Sequence, residues 1–186
     1  IISQIDRISK LIRSLLRVSR VKSGEARLVP LQVGEVVDEV FSLIGQKLRA
    51  DSIEVFRDYP VGFEVLADFE LLEQVLLNLA INSIHAIHEA AQMGREGPHS
   101  IRIAASQRKD YIAVEITDTG VGISPENMSK LFRPFFTTKQ VGEGTGLGLA
   151  IVAQLLREMD GEITVSSRVG VGTTFTLLLK APVRSP

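Results

Sequence analysis

Ile101-Arg-Ile-Ala-Ala-Ser106 and Tyr111-Ile-Ala-Val-Glu-Ile116 both alternate apolar with polar residues, and the second run leads straight into Asp118-Thr-Gly-Val-Gly-Ile123. Period-two alternation is the mark of a half-buried strand, and two such runs joined around Lys109-Asp110 read as a β-hairpin. The second strand of that hairpin delivers Asp118 at its end. Upstream, Ile53-Glu-Val-Phe-Arg57 and Phe63-Glu-Val-Leu66 alternate in the same way. Apolar residues at helical spacing predict a helix over about 33–50 (Val36, Val37, Val40, Phe41, Ile44, Leu48) and a longer one over about 69–93 (Leu71, Leu72, Val75, Leu76, Leu79, Ile84, Ile87), the latter capped by Asp68. Downstream come a short helix after Ser124-Pro125, a helix over 147–159, and strands at 162–166 and 173–180. Strands and helices arrive in groups instead of strict alternation. The expected architecture is therefore α+β, a two-layer sandwich of helices on one face of a mixed, mostly antiparallel sheet.

The 186 residues suffice for one domain plus an appended helix. Hydrophobic residues make up 45% and charged residues 23%, enough apolar material for a full core. A net charge of −1 with no dense basic block gives no electrostatic reason to expect nucleic acid. With no cysteine, disulfides, thiol catalysis and zinc–thiolate sites are excluded, and the cytoplasm is compatible. No apolar run reaches the roughly 18–20 residues that span a bilayer, so no membrane contact is expected of these residues. Residues 1–22 carry Ile1, Ile5, Ile8, Ile12 and Leu15 at spacings of a helix-bundle seam or of an ordinary amphipathic helix. The chain opens inside that periodic pattern, which suggests a piece of a longer protein.

Three polar residues interrupt the apolar face of the long helix. Asn78 and Asn82 are four apart and His85 follows three later, so they share one face. Such asparagines are either a polar site or members of a satisfied structural network; an amide oxygen suits a hard cation such as Mg2+. Asp118 before Thr-Gly-Val-Gly is either a plain Asp-Gly turn or a carboxylate placed to accept from an exocyclic amine, with Gly120 and Gly122 admitting a flat ring. The glycines of Gly142-Glu-Gly-Thr-Gly-Leu-Gly148 directly precede a helix, where backbone N–H groups form an anion site. Lys139 stands at the near edge, within reach of a terminal phosphate.

Asn78-Leu-Ala-Ile-Asn82, Asp118-Thr-Gly-Val-Gly-Ile123, Phe132-Arg-Pro-Phe-Phe-Thr-Thr-Lys139 and Gly144-Thr-Gly-Leu-Gly-Leu149 resemble, in order, the N, G1, F and G2 boxes of the sensor histidine kinases of bacterial two-component systems. The Phe-Phe-Thr-Thr-Lys form is similar to the nitrogen-regulation and dicarboxylate-sensing branch. The resemblance covers about residues 64–180 and implies the Bergerat ATP-binding fold shared with gyrase, chaperone and mismatch-repair ATPases. It implies that Asn82 holds Mg2+ and that Asn78 and His85 lie toward the phosphates of ATP. It further implies that Asp118 reads the adenine amine, supported by Thr173 and flanked by Gly120, Gly122 and Ile123. Residues 132–146 would be the mobile lid, with Lys139 and the glycines Gly144, Gly146 and Gly148 over the triphosphate, with Phe135, Thr137, Thr138, Thr145, Leu147 and Leu149 also among the ATP-binding residues, and with Asn78 and Lys139 as the catalytic ones. Where the family usually has Ala after the second Asn, this chain has Ser83, a slight departure.

The resemblance also implies a division into residues 1–24, the second helix of a truncated dimerisation and phosphoacceptor hairpin; 25–182, the catalytic domain; and 183–186, a tail. Hydrolysing relatives carry a glutamate where this chain has Asn78, and an amide cannot act as a base. Phosphoryl transfer to a protein is thus favoured over a self-contained ATPase or serine kinase, and over a non-catalytic nucleotide-binding module. No histidine precedes His85, so the phosphoacceptor would lie on a hairpin largely absent here, reached in cis or in trans within a homodimer. A response-regulator receiver domain would be the next partner, and the full-length protein would be cytoplasmic or anchored in the inner membrane.

Overall fold

Two apolar faces decide how the chain condenses. Over Val33–Ala50 (α1), Val33, Val36, Val37, Val40, Phe41 and Leu48 are buried; over Phe69–Gln92 (α2), Leu72, Val75, Leu76, Leu79, Ala80, Ser83, Ile84, Ile87 and Ala90 are buried. Each set recurs at three- and four-residue intervals, so each helix has one wet and one dry side. Asp68 starts α2 by accepting from the Leu71 N–H at 3.2 Å, and its other carboxylate oxygen accepts from the Arg27 N–H at 3.0 Å. The computed structural model describes residues 26–139 and 144–182. The helix expected over residues 1–22 and the tail at 183–186 lie outside them.

Five strands form the main sheet: β2 (Glu54–Asp58), β4 (Ser100–Arg108), β5 (Tyr111–Asp118), β6 (Glu162–Arg168) and β7 (Gly172–Lys180), in the order β2-β4-β5-β7-β6. The β2–β4 pair is parallel and the other three pairings are antiparallel, the mixed sheet expected from the grouped strands. The hairpin at Lys109-Asp110 forms as expected, with Arg108 opposite Tyr111 and Lys109 in the left-handed region at φ 56°. α2 lies between α1 and the last long helix, α4 (Gly148–Glu158), and packs on the sheet. A one-turn helix, α3 (Pro125–Met128), follows the Asp118 loop.

One arrangement departs from the simple two-layer expectation. β1 (Val29–Gln32) and β3 (Glu64–Ala67) form a separate two-stranded antiparallel sheet, with Pro30 opposite Leu66. β2 and β3 are sequence neighbours with the same alternation, yet they join different sheets. The reason is burial: Val65 and Ala67 are fully enclosed, with β3 packed against β5 and β7, whereas β2 is an edge strand whose residues are mostly exposed.

Candidate functional site

Antiparallel register brings the first two site residues together. Asp118 ends β5 and Thr173 opens β7, and the two are paired directly. Their side chains are both 4% exposed, among the few buried polar groups of the described residues. One Asp118 oxygen, Oδ1, accepts from the Gly120 N–H at 2.9 Å; the other, Oδ2, accepts from the Ser83 hydroxyl at 3.1 Å. Burial, the largest influence, pushes the Asp118 carboxyl above its ordinary range. The Gly120 N–H, the Ser83 hydroxyl, the Thr173 backbone and the charge of Arg95 all pull it back down.

The loop after Asp118 lies tightly against α2. A Cβ on Gly120 would stand 2.7 Å from the carbonyl carbon of Ala86, so only glycine allows this approach; the next residue, Val121, donates its N–H to the Ala86 carbonyl at 3.1 Å. Gly122 sits at φ +75°, where a side chain would also run into the Arg168 carbonyl. Arg95, in the loop after α2, fastens this region from outside. Its Nη1 donates to the Gly120 carbonyl at 2.9 Å and its Nη2 to the Val171 carbonyl at 3.0 Å, tying the Asp118 loop to the β6–β7 turn. Ser167 completes the wall: its hydroxyl accepts from the Ile123 N–H at 2.8 Å and lies 2.9 Å from the Thr173 hydroxyl.

Beyond this wall a cleft of about 1080 Å³ opens between α2, the Asp118 loop and the glycine-rich approach to α4. Asn78, Asn82 and His85 line it from α2, and Lys139 and Gly144 from the segment across the mouth. Lys139 Nζ lies 2.7 Å from His85 Nδ1, so a cation from that segment reaches the polar stripe of the helix. Asn78 Nδ2 is buried and has no hydrogen-bond partner among the described residues. Leaving an amide donor unmade in the interior costs about 1–3 kcal/mol, which is sustainable where a ligand supplies the acceptor. The start of α4 points the same way. Leu147 is its N-cap and offers no side-chain acceptor, so the first-turn N–H groups, including those of Gly148 and Leu149 at the cleft, are left for another acceptor.

Of the residues singled out in the sequence, Asn78, Asn82, His85, Asp118, Gly122, Ile123, Thr137, Thr138, Lys139, Gly144, Thr145, Gly146, Gly148, Leu149 and Thr173 all line this one cleft. Three do not. Gly120 is buried beneath Ala86, and Leu147 is buried at the start of α4. Phe135 is the third. It takes the left-handed conformation at φ 66°, is 74% exposed, and its neighbour Phe136 lines the cleft instead. The reversal at Phe135 is held by Gly146, whose α-carbon packs against the Phe135 backbone so closely that no Cβ would fit. Residues 140–143, which include Gly142, lie outside the described residues. Arg95 and Ser167 carry no signal in the sequence, and Phe136 is read there only as part of the Phe132–Lys139 motif.

Among the described residues no three His, Cys, Asp or Glu side chains converge as a metal site. The cleft's asparagine amide oxygens suit a hard cation that takes most of its ligands from water and from an anionic ligand.

A sequence model of the histidine kinase-, DNA gyrase B- and HSP90-like ATPases matches residues 67–183. Sensor histidine kinase ZraS of Salmonella typhimurium is 34% identical over 182 residues, which cover 97% of this chain and 37% of that protein. Signal transduction histidine-protein kinase AtoS of Escherichia coli is 38% identical over 185 residues, 96% of this chain and 28% of that protein. The chain thus spans well under half the length of these relatives. The catalytic domain of histidine kinase ThkA superposes with a TM-score of 0.70 at 29% identity, covering 83% of this chain and 95% of that one. Full-length ShkA in complex with AMPPNP superposes with a TM-score of 0.78 at 25% identity, covering 97% of this chain and 37% of that one. With the Asp118–Thr173 wall, the asparagine stripe and the uncapped helix all around one cleft, and a family match over most of the chain, the protein belongs to the histidine kinase-, DNA gyrase B- and HSP90-like ATPase family, and the relatives named above are sensor histidine kinases.

Proposed function

We propose that residues 25–182 are the ATP-binding catalytic domain of a two-component sensor histidine kinase, which transfers the γ-phosphoryl group of ATP to a histidine on a hairpin whose second helix would be residues 1–24. The observation that carries this reading is the meeting, in one cleft, of a buried carboxylate and an asparagine and histidine stripe, facing a lysine-bearing segment. Asp118, backed by Thr173, would accept from the adenine 6-amino group. Asn78, His85 and Lys139 would meet the phosphates, together with the open N–H groups at the start of α4. Asn82 would hold Mg2+, which would supply neutralisation of phosphate charge.

The transfer itself asks little covalent chemistry of this chain. An imidazole nitrogen attacks the γ-phosphorus in line, forming the N–P bond as the bond to the bridging oxygen of ADP breaks. This chain orients the triphosphate and donates hydrogen bonds to its oxygens. Asn78, an amide, takes no proton from water, which favours transfer over hydrolysis. The acceptor hairpin, in cis or within a homodimer, and a response-regulator receiver domain are the partners, and the domain works on the cytoplasmic side.

The test has two arms. Calorimetry with Mg-ATP should show binding that Asn82→Ala and Asp118→Ala each weaken strongly; unchanged affinity in both variants would reject the site assignment. Mixing the chain and ATP with a separate hairpin that bears its histidine should give acid-labile phosphate on the hairpin. Steady hydrolysis without transfer would instead mark a self-contained ATPase.

A further inference from the structure

Ser83 is 1% exposed and lies on α2 among Leu79, Ala80, Ile84 and Ile87, each at most 2% exposed. A hydroxyl enclosed by such side chains is unfavourable unless it is bonded. Its partner lies 35 residues away in the sequence: Ser83 Oγ donates to Asp118 Oδ2 at 3.1 Å. The opposite oxygen, Oδ1, takes the Gly120 N–H at 2.9 Å. Each carboxylate oxygen therefore has a side-chain or loop donor from the protein, with the Thr173 backbone acting on the group as well, which fixes the plane of the group. A carboxylate offers about four lone-pair sites, so acceptor capacity remains for a donor arriving from the cleft. Arg95 is the charged group acting on Asp118, and its two hydrogen bonds go to the backbone carbonyls of Gly120 and Val171.

Resting on the ATP reading above, we propose that Ser83 sets the purine preference of the cleft: by holding Asp118 Oδ2 in place as an acceptor, it favours a 6-amino purine over a 6-oxo purine. Ser83 touches Asp118 and not the base, so it is a positioning residue. Alanine at this position would remove the hydroxyl donor at Oδ2 inside an apolar shell. Burial then favours the neutral carboxyl, and a neutral carboxyl donates to an oxo group as well as it accepts from an amine. Selectivity, more than overall affinity, is what the hydroxyl secures, in line with the way buried polar groups reject ligands that leave them unpaired.

The experiment is a thermodynamic cycle in calorimetry. Wild type, Ser83→Ala and Ser83→Cys are titrated with the magnesium complexes of ATP, ITP and purine riboside 5′-triphosphate, the last lacking any 6-substituent. The expected result is a loss of about tenfold for ATP in Ser83→Ala, a loss of less than about twofold for purine riboside triphosphate, and a narrower ATP-to-ITP ratio. Ser83→Cys, close in shape with a weaker donor, should fall between, and it carries the same test if Ser83→Ala does not fold. Equal losses for ATP and purine riboside triphosphate, or no loss for ATP, would overturn the inference while leaving the ATP reading intact. A wild-type chain that binds none of the three nucleotides overturns that reading, and this inference with it.

Discussion

Replacing Arg95 by alanine removes a side chain that ties the Asp118 loop to the β6–β7 turn. Two bonds are lost, to the Gly120 carbonyl at 2.9 Å and to the Val171 carbonyl at 3.0 Å, the first partly buried and the second exposed. A hydrogen bond from a charged donor contributes about 1.5–3 kcal/mol where water is kept out and much less where it is not, so the pair together should contribute about 2 kcal/mol. For a domain of this size each kcal/mol moves Tm by about 2–4 °C, so Arg95→Ala should melt about 4–8 °C below wild type. The same change frees the backbone next to Asp118. ATP affinity should therefore fall by about tenfold, whereas inorganic triphosphate, which never reaches that end of the cleft, should bind as before. Arg95→Lys keeps the charge but gives up the two-pronged fork; it should recover part of the melting temperature and little of the ATP affinity. Differential scanning calorimetry and titration calorimetry measure both quantities. If Arg95→Ala melts with the wild type, or loses ATP and triphosphate affinity in equal measure, the clamp does not act as described.

Asp118→Asn should separate binding from stability. Burial raises the carboxyl's pKa in the folded state above its ordinary 3.8, so its favourable contribution is fully present below that value and is lost as pH rises through the folded one. Above the folded pKa the native protein holds an ionised carboxylate at a net penalty; the amide escapes it, so the variant's advantage in melting point over wild type should grow as pH rises through that range, with weakened ATP binding throughout. An advantage that does not change with pH would contradict this account. Gly122 and Gly170 offer a matched pair, at φ +75° and +74°. Alanine at Gly170 meets open space and carries only the left-handed strain of about 1–2 kcal/mol, whereas alanine at Gly122 also runs into the Arg168 carbonyl and should lower both Tm and ATP affinity further. Equal melting points for the two variants would remove the argument from close approach.

What was legible in the sequence, and what was not, follows from the range over which each interaction acts. α1, α2 and the β4–β5 hairpin are written in local periodicity, because a helix face or a strand face is chosen by neighbours two to four residues apart. The separation of β2 from β3 is not local. Both alternate alike, and their fates diverge only because Val65 is closed over by β5 and β7 while β2 is left at an edge. The site divides along the same line. Asn78, Asn82 and His85 stand out because helical spacing puts three polar groups on a face that is otherwise apolar. Arg95 carries no such signal: it is one arginine in a Gly94-to-Pro98 loop, and its role exists only once two backbone carbonyls 51 residues apart arrive beside it, Gly120 on one strand's exit and Val171 on another's entry. Ser83 lies between these cases. Its departure from alanine is visible in the sequence, yet the change looks slight until the fold brings Asp118 within 3.1 Å of it. Phe135 and Phe136 mark the limit of local reasoning. Adjacent identical side chains differ only in which one the backbone turns inward, and that turn packs against Gly146, eleven and ten residues further on. The order of the sequence motifs therefore identifies which segments meet, while the pairing of single side chains across the cleft emerges only from the packing of α2 against the loop that follows β5.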